Sequence, residues 1–323
     1  MKILVIGKEE RVRRYTEDTA MLEQAELVCV PVGTDDAGLL AAGQDADFIF
    51  ADSIGTVSGD VIRQMPNLKL IHMEGVGFNG IDLAAARARG IYVCNSKGVN
   101  AAAVAEQTVL LMLALLRDLP GGDRAVREGR QIQLKEHYMQ TGSLRQLNEC
   151  TVGLVGFGDI GRQTAKVLDA FGATVLYYAP SGEKPGTTAT YRPLDALLAE
   201  SDIVSLHLPA SDRTRGMCNA EFFSKMKPGS YLINTARGEI VDTPALLAAL
   251  QAGHLAGAGL DTIAGEPIQP DNPVLQTDEE TARKLILCCH VAGITGAAFR
   301  SGYRRIWKAV RDVMDGKVPE NVV

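Results

Sequence analysis

The run Gly156-Phe157-Gly158-Asp159-Ile160-Gly161 constrains the fold more than any other stretch of the chain. Before it, residues 151–155 read Thr-Val-Gly-Leu-Val, an apolar run with the length of a buried strand; after it, residues 162–171 carry helical spacing. A strand that turns on three glycines directly into a helix opens a βαβ unit and so predicts a parallel sheet. Short glycine patterns recur by chance, and the flanking strand and helix supply the specificity. Gly156 permits the tight turn and Gly158 lets backbone N–H groups approach a pyrophosphate. Gly161 lets the helix pack on its strand with its N-terminus toward the phosphates. The segment reads as a dinucleotide-binding turn.

The next strand, 174–178, ends at Ala179, where a carboxylate usually accepts hydrogen bonds from the adenosine ribose. Its absence removes repulsion against a 2′-phosphate, which Ser181 or Lys184 could contact. No arginine stands nearby in the sequence to make a bidentate contact, and Glu183 could still reach the ribose. The cofactor is therefore NAD or NADP, with the balance toward NADP.

Residues 1–95 alternate strands (3–6, 27–30, 48–51, 70–72 and 92–94) with amphipathic or charged segments, the pattern of a small parallel sheet. Residues 100–117 predict a long buried helix ending near Pro120-Gly121-Gly122 and linking two domains. A second series follows the glycine turn, with strands at 203–206, 230–234, 256–260 and 285–288. Residues 299–316 predict a final helix with Ile306, Val310 and Val313 on one face. The fold class is α/β, two Rossmann/flavodoxin-like domains with parallel sheets and a cleft between them.

At 323 residues and 46% hydrophobic, the chain can bury two cores. Its net charge of -6 and lack of a dense basic run argue against nucleic-acid and anionic-membrane partners. Met1 leads straight into a strand, and no stretch of about 20 residues is apolar enough to span a bilayer, so a cytoplasmic protein is expected. The six cysteines lack CxxC spacing, which predicts reduced thiols and no bound metal.

The candidate reacting groups lie downstream. Arg237, in Asn234-Thr235-Ala236-Arg237-Gly238, follows a strand and so belongs at the carboxyl end of the sheet. A guanidinium there can grip a carboxylate with two parallel N–H bonds and present a donor to an adjacent keto oxygen. His290, between Cys288-Cys289 and Val291-Ala292-Gly293, is the histidine whose setting suits proton exchange. Glu266, in Gly265-Glu266-Pro267, could fix its ring and favour the charged form. His72 and His207 end strands and could line the site, whereas His137 and His254 read as exposed or structural.

With these segments the chain resembles the D-isomer-specific 2-hydroxyacid dehydrogenase family. The resemblance extends over Gly75-Val76-Gly77-Phe78-Asn79-Gly80, Val104-Ala105-Glu106, the glycine turn, His207-Leu208-Pro209 with Thr214, and the Arg237, Glu266 and His290 segments. It implies a discontinuous substrate domain, 1–98 plus 292–323, with a cofactor domain inserted at 99–291. It further implies that Arg237 binds the substrate carboxylate, that His290 is the acid/base and that Glu266 is its partner. Backbone amides around Glu74, Gly75 and Val76 would help hold that carboxylate. Asp159 and Ile160 would meet the pyrophosphate and Asp261 the nicotinamide carboxamide, with Val76, His207, Leu208, Pro209, Thr214, Thr235 and Gly293 also beside the cofactor. Members are usually dimers, with the helix near Val104 at the interface.

The chain departs from the family pattern at Ala179, at Cys289 where proline usually precedes the histidine, and in a longer Glu266-to-His290 spacing. Glu74 also stands where a small or apolar residue is common. A carboxylate there would repel a second anionic group, favouring glyoxylate or hydroxypyruvate over phosphohydroxypyruvate. The expected reaction is NAD(P)-dependent reduction of such a 2-oxo acid to the D-2-hydroxy acid. The alternatives are a D-3-phosphoglycerate dehydrogenase without a regulatory domain and a dinucleotide-sensing co-repressor-like protein.

Overall fold

The computed structural model describes residues 1–52 and 54–323, which divide into two compact units, Met1–Asn100 with Ile294–Val323, and Ala101–Gly293. The divisions drawn from the sequence, after residues 98 and 291, fall two residues earlier.

The first unit holds a parallel sheet of β1 (Lys2–Ile6), β2 (Glu26–Val30), β3 (Phe48–Ala51), β4 (Leu70–Met73) and β5 (Tyr92–Cys94), in the order β2-β1-β3-β4-β5. This is the flavodoxin-like order. Helices cover both faces, so the strands read as unbroken apolar runs, and the period of two sorts their side chains between two cores. Leu4, Ile6, Ile49 and Ile71 enter one core. Ile3, Val5, Phe48, Phe50 and Leu70 enter the other, where they meet Tyr303, Ile306, Trp307 and Val310 of the helix Gly296–Met314. Trp307 donates from Nε1 to the Thr16 hydroxyl at 2.8 Å, and Thr16 donates onward to the Val12 carbonyl at 2.7 Å. The end of the chain thereby completes the sheet with which it begins.

The second unit is a seven-stranded parallel sheet in the order β12-β11-β10-β9-β6-β7-β8. Its strands are β6 (Thr151–Val155), β7 (Thr174–Tyr178), β8 (Thr190–Tyr191), β9 (Ile203–Leu206), β10 (Ser230–Asn234), β11 (Leu255–Leu260) and β12 (Leu285–Leu287). Strand order reverses at β6, which pairs with β7 on one side and β9 on the other. Ligands of open α/β sheets bind at the carboxyl ends of strands beside such a switch point, and the glycine turn leaves β6 there.

Pro120-Gly121-Gly122, near which the long helix was expected to end, belongs to a helix of its own. The long helix ends at Leu116 and a new helix, Leu119–Arg127, begins around these residues. Proline is tolerated in a first turn because its missing N–H would have had no acceptor there. Asp118, in a left-handed conformation with φ 44°, accepts from the Gly121 N–H at 3.1 Å and from the Tyr138 hydroxyl at 2.6 Å. The two-residue strand β8 was also not foreseen. All six cysteines are unpaired; Cys94, Cys150 and Cys218 are buried, Cys29 and Cys288 half-buried and Cys289 exposed. Among the described residues no helix is long and apolar enough to cross a membrane.

Replacing Trp307 by alanine removes the largest side chain of the first unit's second core and the bond to Thr16. We expect a loss of about 3–5 kcal/mol, read from urea unfolding followed by circular dichroism.

Candidate active site

The glycine turn is set by the backbone around it. Gly156 has φ +107°, and a Cβ there would lie 2.5 Å from the His207 carbonyl oxygen; one on Gly161 would lie 2.4 Å from the Gly156 oxygen. Gly158 differs, since a Cβ built on it would meet nothing within 4 Å. The protein itself does not require glycine at that position, and the space left is the space a pyrophosphate needs. Gly158 is the N-cap of the helix Asp159–Ala170 and no side chain caps that helix. The N–H groups of Asp159, Ile160 and Gly161 therefore lack intrahelical acceptors and suit an anion.

Around this turn, Leu208 is buried and Thr214 donates its hydroxyl to the Pro209 carbonyl at 2.7 Å, closing the loop after β9. His207 Nε2 lies 3.0 Å from the Ser205 hydroxyl, and desolvation pushes its pKa down to about 4, so the ring is neutral. The Thr235 hydroxyl pairs at 2.8 Å with that of Thr108 on the long helix. Ala179 is buried and Ser181 exposed, and the Gly182 N–H folds the loop back onto the Ala179 carbonyl at 2.9 Å.

The candidate groups converge through three loops of the same unit. Asn234 ends β10, accepts the Ala236 N–H at 3.0 Å and donates to the Arg237 carbonyl at 2.9 Å, which fixes the turn presenting Arg237. Arg237 is exposed, donates from Nη1 to the Ala236 carbonyl at 2.6 Å and has no carboxylate within 4 Å among the described residues. A Cβ on Gly238 would lie 2.1 Å from the Ile263 carbonyl carbon, so the Arg237 loop packs backbone to backbone on the loop that carries Glu266. One Glu266 oxygen accepts the Ile263 N–H at 2.6 Å, and the other lies 2.6 Å from His290 Nδ1. His290 has φ +56°, a conformation unusual for a residue other than glycine, and donates its N–H to the Asp261 carbonyl at 2.9 Å. Asp261 is fully buried; its carboxylate accepts the N–H of Val291 at 3.1 Å and of Ala292 at 2.9 Å. Its first task is thus to hold the segment from His290 to Gly293 in place.

In the first unit the structure corrects the reading of Glu74. Its N–H is committed to the Ala51 carbonyl at 2.8 Å, and its carboxylate points into the protein. There it pairs with Arg11 Nη2 at 2.7 Å and accepts the Tyr303 hydroxyl; Arg11 also binds Asp52 at 2.6 Å. Burial pushes the Glu74 carboxyl up, against the opposing pull of Arg11. A paired, inward-facing carboxylate is not a free charge that would repel a second anion, and Glu74 has no N–H to offer a substrate. Gly75 and Val76 differ. Their carbonyls are held by the Ser96 N–H at 2.9 Å and the Asn95 amide at 2.8 Å, while their own N–H groups donate to no acceptor among the described residues. His72 is buried, donates from Nδ1 to the Met73 carbonyl at 2.9 Å and is pushed down to about 4 by desolvation. It does not line the site.

Residues 109–292 match the family described as D-isomer specific 2-hydroxyacid dehydrogenase, NAD binding domain. The chain belongs to that family. It is 38% identical over 291 residues to a glyoxylate reductase of Thermofilum pendens, covering 88% of this chain and 83% of that protein. The TT0316 protein from Thermus thermophilus superposes with a TM-score of 0.86 at 32% identity, covering 100% of both chains. An NADPH-dependent glyoxylate/hydroxypyruvate reductase from Sinorhizobium meliloti, in complex with citrate, superposes with a TM-score of 0.81 at 30% identity, covering 100% of this chain and 97% of that one. The chain is an NAD(P)-dependent D-2-hydroxyacid dehydrogenase.

Sequence reasoning missed the Arg11–Glu74–Tyr303 cluster, whose members are up to 292 positions apart. It also missed the approach of Arg162, on the cofactor helix, to the loop after β7. Only proximity to the glycine turn could have drawn attention to Arg162. For Gly238→Ala we expect kcat/KM to fall by about 100-fold, the scale of a 1 Å misplacement of reacting groups. Cofactor affinity, measured by fluorescence titration, should be retained.

Proposed function

We propose that this dehydrogenase reduces a small unphosphorylated 2-oxo acid, glyoxylate or hydroxypyruvate, to the D-2-hydroxy acid. The observation that carries the reading is the 2.6 Å Glu266–His290 pair on a loop packed against the one presenting an arginine without a carboxylate partner. The substrate class is supported by the names of relatives, a glyoxylate reductase and a glyoxylate/hydroxypyruvate reductase. It is no longer supported by Glu74, whose carboxylate turns inward onto Arg11.

NAD(P)H would supply the hydride when bound, and the residues present suit that cofactor: a glycine turn with room at Gly158 and uncapped helix amides beside it. The chain's own groups do the rest. Arg237 holds the substrate carboxylate and polarises the carbonyl. With Nδ1 donating to Glu266, His290 Nε2 is the atom that gives its proton to the forming alkoxide. Glu266 orients the ring and offsets the imidazolium charge. Reduction consumes a proton and needs protonated His290; oxidation needs the neutral ring. Rising pH should therefore slow reduction and favour oxidation.

The six unpaired thiols suit a cytoplasmic location. A homodimer is supported by the exposed apolar side chains of Leu110, Leu119, Val126, Ile132 and Met139 along residues 101–141, a surface that a second copy would cover.

Initial rates of NADH and NADPH oxidation with glyoxylate, hydroxypyruvate, pyruvate and phosphohydroxypyruvate test the substrate. Turnover of an unphosphorylated acid is expected, and activity confined to phosphohydroxypyruvate would replace this reading with the phosphoglycerate dehydrogenase one. His290→Gln should lose at least about 100-fold in kcat while still binding cofactor. A variant that keeps its rate and pH profile would remove His290 from its role. Glu266→Gln, with one acceptor oxygen for the two N–H groups that Glu266 serves, should lose rate less severely and shift the pH profile.

A further inference from the structure

The cofactor turn carries a cation whose charge the fold leaves unpaired. Arg162 directly follows Gly161, near the start of the helix Asp159–Ala170. Its guanidinium lies over the Phe157 ring, with Cζ 5.1 Å from the centroid, and Phe157 stacks on Tyr177 with centroids 3.9 Å apart. Tyr177, in β7, in turn holds the loop beyond that strand, since its hydroxyl oxygen accepts the Lys184 N–H at 2.6 Å. From this aromatic shelf Arg162 reaches across to the loop and donates from Nη1 to the Pro185 carbonyl at 3.2 Å. An arginine thereby bridges the helix that meets the phosphates and the loop that meets the adenosine ribose in a dinucleotide fold.

Several observations make this an anion site. Ala179 stands where a carboxylate would read the ribose hydroxyls. Neither Arg162 nor Lys184 has a carboxylate within 4 Å among the described residues. A guanidinium has five N–H donors, and the Pro185 carbonyl is the one hydrogen-bond acceptor Arg162 finds among the described residues. Stacking on an aromatic face holds the guanidinium plane in advance, so less freedom is lost when it takes a ligand. Ser181, exposed on the same loop, offers a hydroxyl.

We infer that Arg162, with Ser181 and Lys184, forms the recognition site for the adenosine 2′-phosphate and makes this chain selective for NADP over NAD. The inference rests on the cofactor reading of the glycine turn and adds the group that discriminates between the two nucleotides. It also supplies the arginine that the loop sequence lacks, from a different element.

The test is fluorescence titration of the intact wild-type protein and its variants with NADPH and NADH, without substrate. The wild type should bind NADPH more tightly. Arg162→Gln should weaken NADPH by roughly 10- to 100-fold, the value of a charge-assisted hydrogen bond, and leave NADH unchanged. Arg162→Lys should fall between, because it keeps the charge and loses the fork. Ser181→Asp, at an exposed position where folding is not at stake, should weaken NADPH selectively by placing like charge beside the phosphate. Equal affinity of the wild type for both nucleotides overturns the inference, as does a parallel change in both affinities for Arg162→Gln, or a Ser181→Asp protein that still prefers NADPH as the wild type does. If the wild type binds neither nucleotide, the cofactor reading fails and takes the inference with it.

Discussion

A buried carboxylate, Asp261, organises the candidate site of the second unit. Its N–H donates to the Asn234 carbonyl at 2.9 Å, its own carbonyl accepts from His290, and its two carboxylate oxygens accept the N–H groups of Val291 and Ala292. A fully buried carboxylate is costly unless its oxygens are satisfied, and N–H bonds to a charged acceptor are stronger than neutral ones. The arrangement therefore has little freedom to relax. It couples the end of β10, from which Arg237 projects, to the segment bearing His290. The left-handed backbone of His290 persists because Asp261 holds its N–H and those of the next two residues.

The first unit solves a similar problem with different chemistry. Arg11, Asp52, Glu74 and Tyr303 bring one cation, two carboxylates and a phenol together at the carboxyl end of its sheet. Arg11 follows β1, Asp52 follows β3, Glu74 follows β4 and Tyr303 lies on the last helix, so the cluster ties three strand ends to the end of the chain. Gly75 and Val76 leave directly from it. The exposed amides of that loop are thus carried by a backbone whose preceding residue is anchored three ways, through its N–H and both carboxylate oxygens.

The strands were legible because both faces of a parallel sheet are buried and its strands become short apolar runs; β1 through β7 and β9 through β12 stand within a residue or so of where those runs placed them. The glycine turn was legible because its strand and helix flank it. Pro120-Gly121-Gly122 misled because the same residues that end one helix can begin the next, and only the cap at Asp118 decides between these outcomes. Residue type revealed that Glu74 was unusual, but not that its carboxylate turns inward to Arg11, a residue brought near by strand pairing. Arg162 escaped for the same reason, since its distance to Pro185 is a property of the fold. The proximity of Glu266 and His290 came from the family resemblance rather than from spacing.

Two desolvated histidines set a proton balance for folding. His72 in the first unit and His207 in the second are each held neutral, with folded pKa values of about 4 against 6.5 when exposed. Between those values the unfolded chain binds more protons than the folded one, so the stability these rings contribute is complete above pH 6.5 and drains away as pH falls toward 4. Proton uptake on unfolding thus weakens each unit as pH falls through that window.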